Sequence, residues 1–178
     1  MAFENVLNLD SIALTEVGSG EYCSRVGELA DVLKTAHLGF HLHILEPHNF
    51  SCPYHWHHAE EELFLVLKGE ATLRQNGEFR HVGPGDLIFS GLGAEYAHQF
   101  YNHTDEPFRF LALSNRERWD VCEYPDSKKL KVRGLQKVFE VETEVEYQRG
   151  ETQPRDFWPA DVLAGKIRQS SSSPESAE

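Results

Sequence analysis

The chain is short of positive charge, of cysteine and of long apolar runs. Its 178 residues carry 17 Lys and Arg against 29 Asp and Glu, a formal net charge of −12. Such an acidic chain is a poor binder of nucleic-acid backbones or anionic membrane surfaces. No run of about 18 apolar residues occurs, so no transmembrane helix is expected. The opening, MAFENVLNLDS, has neither a basic nor an apolar region of the kind that marks a signal peptide. The three cysteines, Cys23, Cys52 and Cys122, are odd in number and scattered. They read as reduced thiols of a cytoplasmic protein, not as a disulfide framework. One residue is in excess: there are ten histidines, and positions 37, 41, 43, 48, 55, 57 and 58 hold seven of them.

The patterning divides the chain into an N-terminal extension (1–36), a central β domain (37–114), a C-terminal extension packing on it (115–169) and a tail (170–178) with nothing to bury. In the leader, Leu29, Val32, Leu33 and Ala36 lie at helical spacing and predict a short amphipathic helix over 28–36. From His37 the period changes to two. Leu38, Phe40, Leu42 and Ile44 alternate with Gly39, His41 and His43. Glu62–Lys68 is an apolar run stopped by Gly69. Asn76-Gly77 between two alternating segments predicts a tight hairpin, and Gly83-Pro84-Gly85-Asp86 a turn. Many short strands at near-regular spacing predict a sandwich or barrel rather than βαβ units. A last alternating segment, 138–147, puts Phe139, Val141, Val145 and Tyr147 on one face and four glutamates on the other, as an edge strand with a solvated acidic face would.

The chemistry concentrates in Pro53-Tyr54-His55-Trp56-His57-His58-Ala59-Glu60-Glu61-Glu62. On a strand, His55 and His57 point the same way, and a carboxylate at the head of the next strand can close on the same point. His98 sits in a later strand. Imidazoles with one carboxylate form a mixed N/O set suited to a divalent transition metal. His41-Leu42-His43 repeats the His-x-His pattern without a following carboxylate, and is expected at the surface or behind the ligands. His58 breaks the strand parity. Cys52 reads as a buried, inert thiol.

These stretches resemble the two motifs of the cupin family. In the first, G-x5-H-x-H-x3–4-E-x6-G, Asn49 stands at the first Gly, followed by His55, His57, Glu62 and Gly69. Glu61 fits the shorter spacing, but the six-residue gap to Gly69 favours Glu62. In the second, G-x5-P-x-G-x2-H-x3-N, Gly85, Gly93, His98 and Asn102 match. Gly91 takes the Pro position, and two extra residues precede His98. The resemblance covers about residues 38–114 and is to small bacterial single-domain cupins. It implies a double-stranded β-helix, or jelly-roll barrel, an all-β fold here with short N- and C-terminal extensions. It also implies a divalent metal (Zn, Fe, Mn or Ni) held by His55, His57, Glu62 and His98.

On that basis the expectation is a metal-dependent enzyme acting on a small organic molecule, of the dioxygenase, decarboxylase, lyase or isomerase type. Tyr54, Tyr96 and Gln99, which flank the ligands, are the candidate acid, base or positioning groups. The alternatives are a sugar-phosphate or sugar-nucleotide isomerase or epimerase, for which Arg74, Arg80 and Arg109 are the basic candidates, and a non-catalytic small-molecule-binding cupin. Leu63, Leu65 and Leu67 face away from Glu62 and need cover, which predicts a homodimer through that sheet.

Overall fold

The computed structural model describes residues 5–141, 144–151 and 153–165; the chain divides into two units, 1–142 and 143–178. The tail expected at 170–178 lies outside the described residues. Among its described residues the first unit holds thirteen strands. They are β1 (Thr15–Ser19), β2 (Tyr22–Gly27), β3 (Gly39–Leu45), β4 (Trp56–His57), β5 (Glu62–Lys68), β6 (Ala71–Gln75), β7 (Glu78–Val82), β8 (Leu87–Ser90), β9 (His98–Tyr101), β10 (Phe108–Ser114), β11 (Val121–Tyr124), β12 (Lys129–Val132) and β13 (Lys137–Glu140).

One sheet has the order β1-β2-β3-β10-β5-β8. The opposing layer is built from β7-β6-β9 and from β13-β12-β11-β4. An antiparallel bridge between His55 and His98 joins those two pieces. The apolar positions of alternating strands meet between the layers, where Leu45, Phe64, Val66, Leu73, Val82, Ile88, Phe100, Phe108 and Phe110 form the buried core. This is the all-β double-stranded β-helix.

Two turns expected from sequence form as expected. Asn76 (φ 50°) and Gly77 (φ 74°) make the two-residue hairpin between β6 and β7, both in the left-handed region that a type I′ turn requires. At Gly69 (φ 77°), a Cβ would stand 2.5 Å from the carbonyl oxygen of Pro107, so only glycine passes under the neighbouring chain.

The leader differs from expectation. Its glycines sit around a hairpin, and β2 pairs with β3, so residues 15–27 extend the sheet. The 28–36 helix is a single turn, α1 (Leu29–Val32), and Lys34 at φ 53° then reverses the chain. Of the alternating segment 138–147, β13 takes up the part to Glu140 among the described residues, and Phe139 and Tyr147 are 44% and 90% exposed. The second unit adds one short helix, α2 (Ala160–Leu163).

Candidate metal centre

β4, the head of β5 and the start of β9 bring His55, His57, Glu62 and His98 together. The bridge places His55 opposite His98, with ring centroids 4.7 Å apart, and His57 lies 5.0 Å from His55. Glu62 Oε2 is 3.2 Å from Nε2 of both His57 and His98. One nitrogen from His55 and one from His98 gather with a Glu62 oxygen within a 4.8 Å span. Glu61 is exposed, its backbone N–H bound to Asn115.

The orientation of the three rings follows from their other nitrogens. Nδ1 of His55 lies 2.9 Å from the Pro53 carbonyl oxygen. Nδ1 of His57 lies 2.6 Å from Asp120 Oδ2. Nδ1 of His98 lies 3.1 Å from the Tyr96 carbonyl oxygen and 2.7 Å from Ser90 Oγ, which itself donates to that carbonyl. Carbonyls and carboxylates only accept, so each Nδ1 carries the hydrogen, and the Nε2 atoms of His57 and His98 are turned to Glu62. Among the described residues, His57 Nε2 and Glu62 Oε2 are buried with no hydrogen-bond partner beyond their mutual 3.2 Å approach and that of His98 Nε2 to Glu62. Buried polar atoms left unpaired are costly, and a divalent cation would satisfy these two together. The residues present therefore fit a metal.

Charge agrees with this geometry. Burial opposes a charge on His57, yet the Asp120 and Glu62 carboxylates outweigh it and hold the imidazole up at about 10. Burial would likewise raise Glu62, but His57 and His98 hold it well below the usual carboxylate range. Without a metal, a proton on His57 occupies the place of a cation.

Asp120, 1% exposed, also accepts the backbone N–H groups of Ala59 and Glu60. It comes from the segment before β11, 63 residues from His57, and no spacing rule pointed to it. Glu60, also buried, pairs with Arg133.

Two cavities flank the cluster. The first, about 180 Å³, lies on the barrel side and is lined by His41, His43, Cys52, Phe64, Phe100 and Phe110 beside the ligands. Burial pushes His43 down to about 3, so it is a neutral imidazole. The second, about 170 Å³, is polar and lined by Asp120, Cys122, Tyr124, Lys131 and Arg133 beside His55, His57 and Glu62. Burial pushes the Cys122 thiol up to about 12, which keeps it protonated and unreactive.

Tyr54, Tyr96 and Gln99 line neither cavity. Tyr54 is buried under the Arg74 guanidinium, and its hydroxyl accepts the Gly77 N–H. Gln99 donates to the Cys52 carbonyl at 2.6 Å. Tyr96 serves His98 through its backbone carbonyl, while its ring packs edge-on against Phe89. Tyr124 is the tyrosine that reaches the site, with its ring stacked 5.8 Å from that of His55. Of the basic candidates, Arg74 is paired with Asp126 and Arg109 with Asp10, and neither lines these cavities.

Residues 41–114 match the family model described as the cupin domain. A dimethylsulfoniopropionate lyase, DddQ, of Ruegeria pomeroyi is 37% identical over 79 residues, 43% of this chain and 37% of that protein. The chain thus spans little more than a third of that relative's length. A structure of a putative sugar phosphate isomerase from Acidithiobacillus ferrooxidans is 26% identical and superposes over 80% of this chain and 97% of its own, with a TM-score of 0.74. A cupin-superfamily sugar phosphate isomerase from Silicibacter pomeroyi, 24% identical, covers 80% and 98% with a TM-score of 0.68, a likeness of fold.

Proposed function

This chain is a member of the cupin superfamily through residues 41–114, and from that premise we propose that it is a metal-dependent enzyme acting on a small organic molecule. His55, His57, Glu62 and His98 hold a divalent transition metal. The observation that carries this reading is that His57 and His98, each with its Nδ1 committed to a protein acceptor, turn their Nε2 atoms on the Glu62 carboxylate, with a His55 nitrogen within 4.8 Å of Glu62 and His98, between two cavities. A bound metal would supply Lewis acidity at that point. The chain's own part is to fix the rings, to exclude water with the Phe64, Phe100 and Phe110 wall, and to admit a small molecule beside the cluster.

Elemental analysis of the full chain should find about one metal per chain. His98→Ala and Glu62→Ala should lose it, while Glu61→Ala keeps it. Retention in Glu62→Ala would sink the assignment. A second reading, a sugar-phosphate isomerase, draws on Lys131 and Arg133, which give the polar cavity two cationic side chains.

We also propose a homodimer through the outer face of the first sheet. Leu63 and Leu65 pair there with Phe89 and Leu87 of edge strand β8, which are 49% and 62% exposed. A monomeric mass by light scattering would remove this assignment.

A further inference from the structure

The barrel-side cavity is small and unevenly furnished. Phe64, Phe100, Phe110 and Ala112 make most of its wall apolar, and among the described residues no lysine or arginine lines it. Two imidazoles enter it from β3, where His41 and His43 stand opposite Ala112 and Phe110 of β10. The His43 ring lies 4.7 Å from that of His41 and stacks on Phe110 at 4.9 Å, with only 15° between planes. Stacking holds its orientation without using either nitrogen. Nδ1 of His43 is buried and has no hydrogen-bond partner among the described residues. A histidine used only for packing would cost less as a phenylalanine, because an unpaired buried polar atom carries a desolvation cost that packing does not return. The His43 side chain lines a cavity that it shares with Glu62, His55 and His98.

We propose that this cavity binds a small, phosphate-free organic molecule with an apolar body, and that His43 holds the molecule's polar group by a hydrogen bond while its acidic or carbonyl oxygen meets the His55–Glu62–His98 cluster. This rests on the metal reading above. A neutral imidazole offers one donor and one acceptor, so it reads a hydroxyl or carbonyl and gives no counter-charge to a phosphoryl dianion. The cluster's charge points the same way. A dication balanced by the single carboxylate of Glu62 leaves one positive charge, which one carboxylate ligand neutralises. A phosphoryl dianion would leave a buried negative charge with no lysine or arginine lining the cavity. The polar cavity on the other flank differs: its two cations are offset by Asp120 there and by Glu60, paired to Arg133. Apolar walls with one or two directed polar groups are how pockets for small organic molecules are built.

The test uses the zinc-loaded full chain with nitrogen-15 histidine, titrated with L-lactate and separately with inorganic phosphate. Lactate should move the His43 ring-nitrogen signals saturably, and phosphate should leave them in place. His43→Phe, which keeps the stack on Phe110, should bind lactate about tenfold more weakly with unchanged zinc content, the loss expected for one buried hydrogen bond. His43→Gln should restore binding to within about threefold, and it decides the matter if the phenylalanine variant does not fold. The proposal is overturned if neither probe moves the His43 signals, if phosphate moves them at lower concentration than lactate, or if His43→Phe binds lactate as wild type does. Zinc content is measured first. A chain that takes up no zinc removes the metal reading, and lactate added to that same chain still shows whether His43 touches the ligand.

Discussion

The two sides of the His–Glu cluster are built from different materials. On the β11–β12 side, the carboxylates and cations beside the ligands have a partner within the protein or a position at the solvent edge. Asp120 holds His57 and two backbone amides, Glu60 holds Arg133, and Lys131 is exposed. On the barrel side, the groups are aromatic rings and imidazoles, and at least one buried nitrogen is left unsatisfied. A side whose polar atoms are consumed internally fixes geometry, whereas a side with a spare polar atom is prepared for something from outside. The polar side thus orients the His–Glu cluster, and on the reading proposed above the barrel side is where a small molecule would bind.

The largest effect should come from breaking the orienting side. Asp120→Asn keeps the shape but removes the charge that fixes the His57 tautomer, and metal affinity should fall about 10- to 100-fold in a chelator competition. A change within twofold would mean that Asp120 serves folding alone. The second effect is on pH. His57 holds a proton at neutral pH, with its ionisation at about 10, and a metal must displace it. Metal affinity should therefore rise by about tenfold per pH unit from neutrality toward that value. Calorimetry in buffers of different ionisation enthalpy should count about one proton released per metal. A count near zero would show that His57 is not a ligand.

How much of this contrast was readable in the sequence depends on the range of the interactions. His55, His57 and Glu62 lie within eight residues, and strand parity puts the two imidazoles on one face with a carboxylate able to close on them; that His98 joins them is what the resemblance to the cupin motifs implies. Asp120 acts across 63 residues from a charged connecting segment with no repeat or motif. Tyr54, Tyr96 and Gln99 neighbour ligands in sequence, but neighbours need not share a face: Gln99 is next to His98 on β9 and bonds the Cys52 carbonyl, and Tyr54, in a bend before β4, accepts the Gly77 N–H. Parity placed His41 and His43 on one face without saying which face turned inward. That is set by the pairing of β3 with β10, a contact between segments more than sixty residues apart. The β1–β2 hairpin was hidden for another reason: β1 is exposed at every position, so no apolar alternation marks it.

The receiving side should show itself in acid. The His43 imidazole ionises at about 3 in the folded chain and near 6.5 when unfolded, because burial disfavours its charge. Between these values the unfolded chain binds a proton that the folded one does not. Stability of the metal-free protein therefore falls as pH drops from 6.5 toward 3, with His43 contributing roughly 1 kcal/mol per pH unit. Denaturant titrations of wild type and His43→Phe should diverge over that window and run parallel above pH 7. Parallel curves throughout would mean that His43 is open to water.

The smallest effect on the metal should come from Glu60, and it sharpens the contrast within the orienting side. Glu60 is as buried as Asp120 and sits in a possible ligand group with Asp120 and His57. Its carboxylate is nevertheless committed to Arg133. Glu60→Ala leaves the Arg133 guanidinium without its partner, and unfolding should become easier by about 1–3 kcal/mol, given that Arg133 is partly solvated. Metal affinity should stay within about threefold, because Asp120 keeps its own hydrogen bonds to His57 and to the backbone of Ala59. If Glu60→Ala instead loses metal as completely as Glu62→Ala, then Glu60 belongs to the ligand shell, and the strand register that places Glu62 there is wrong.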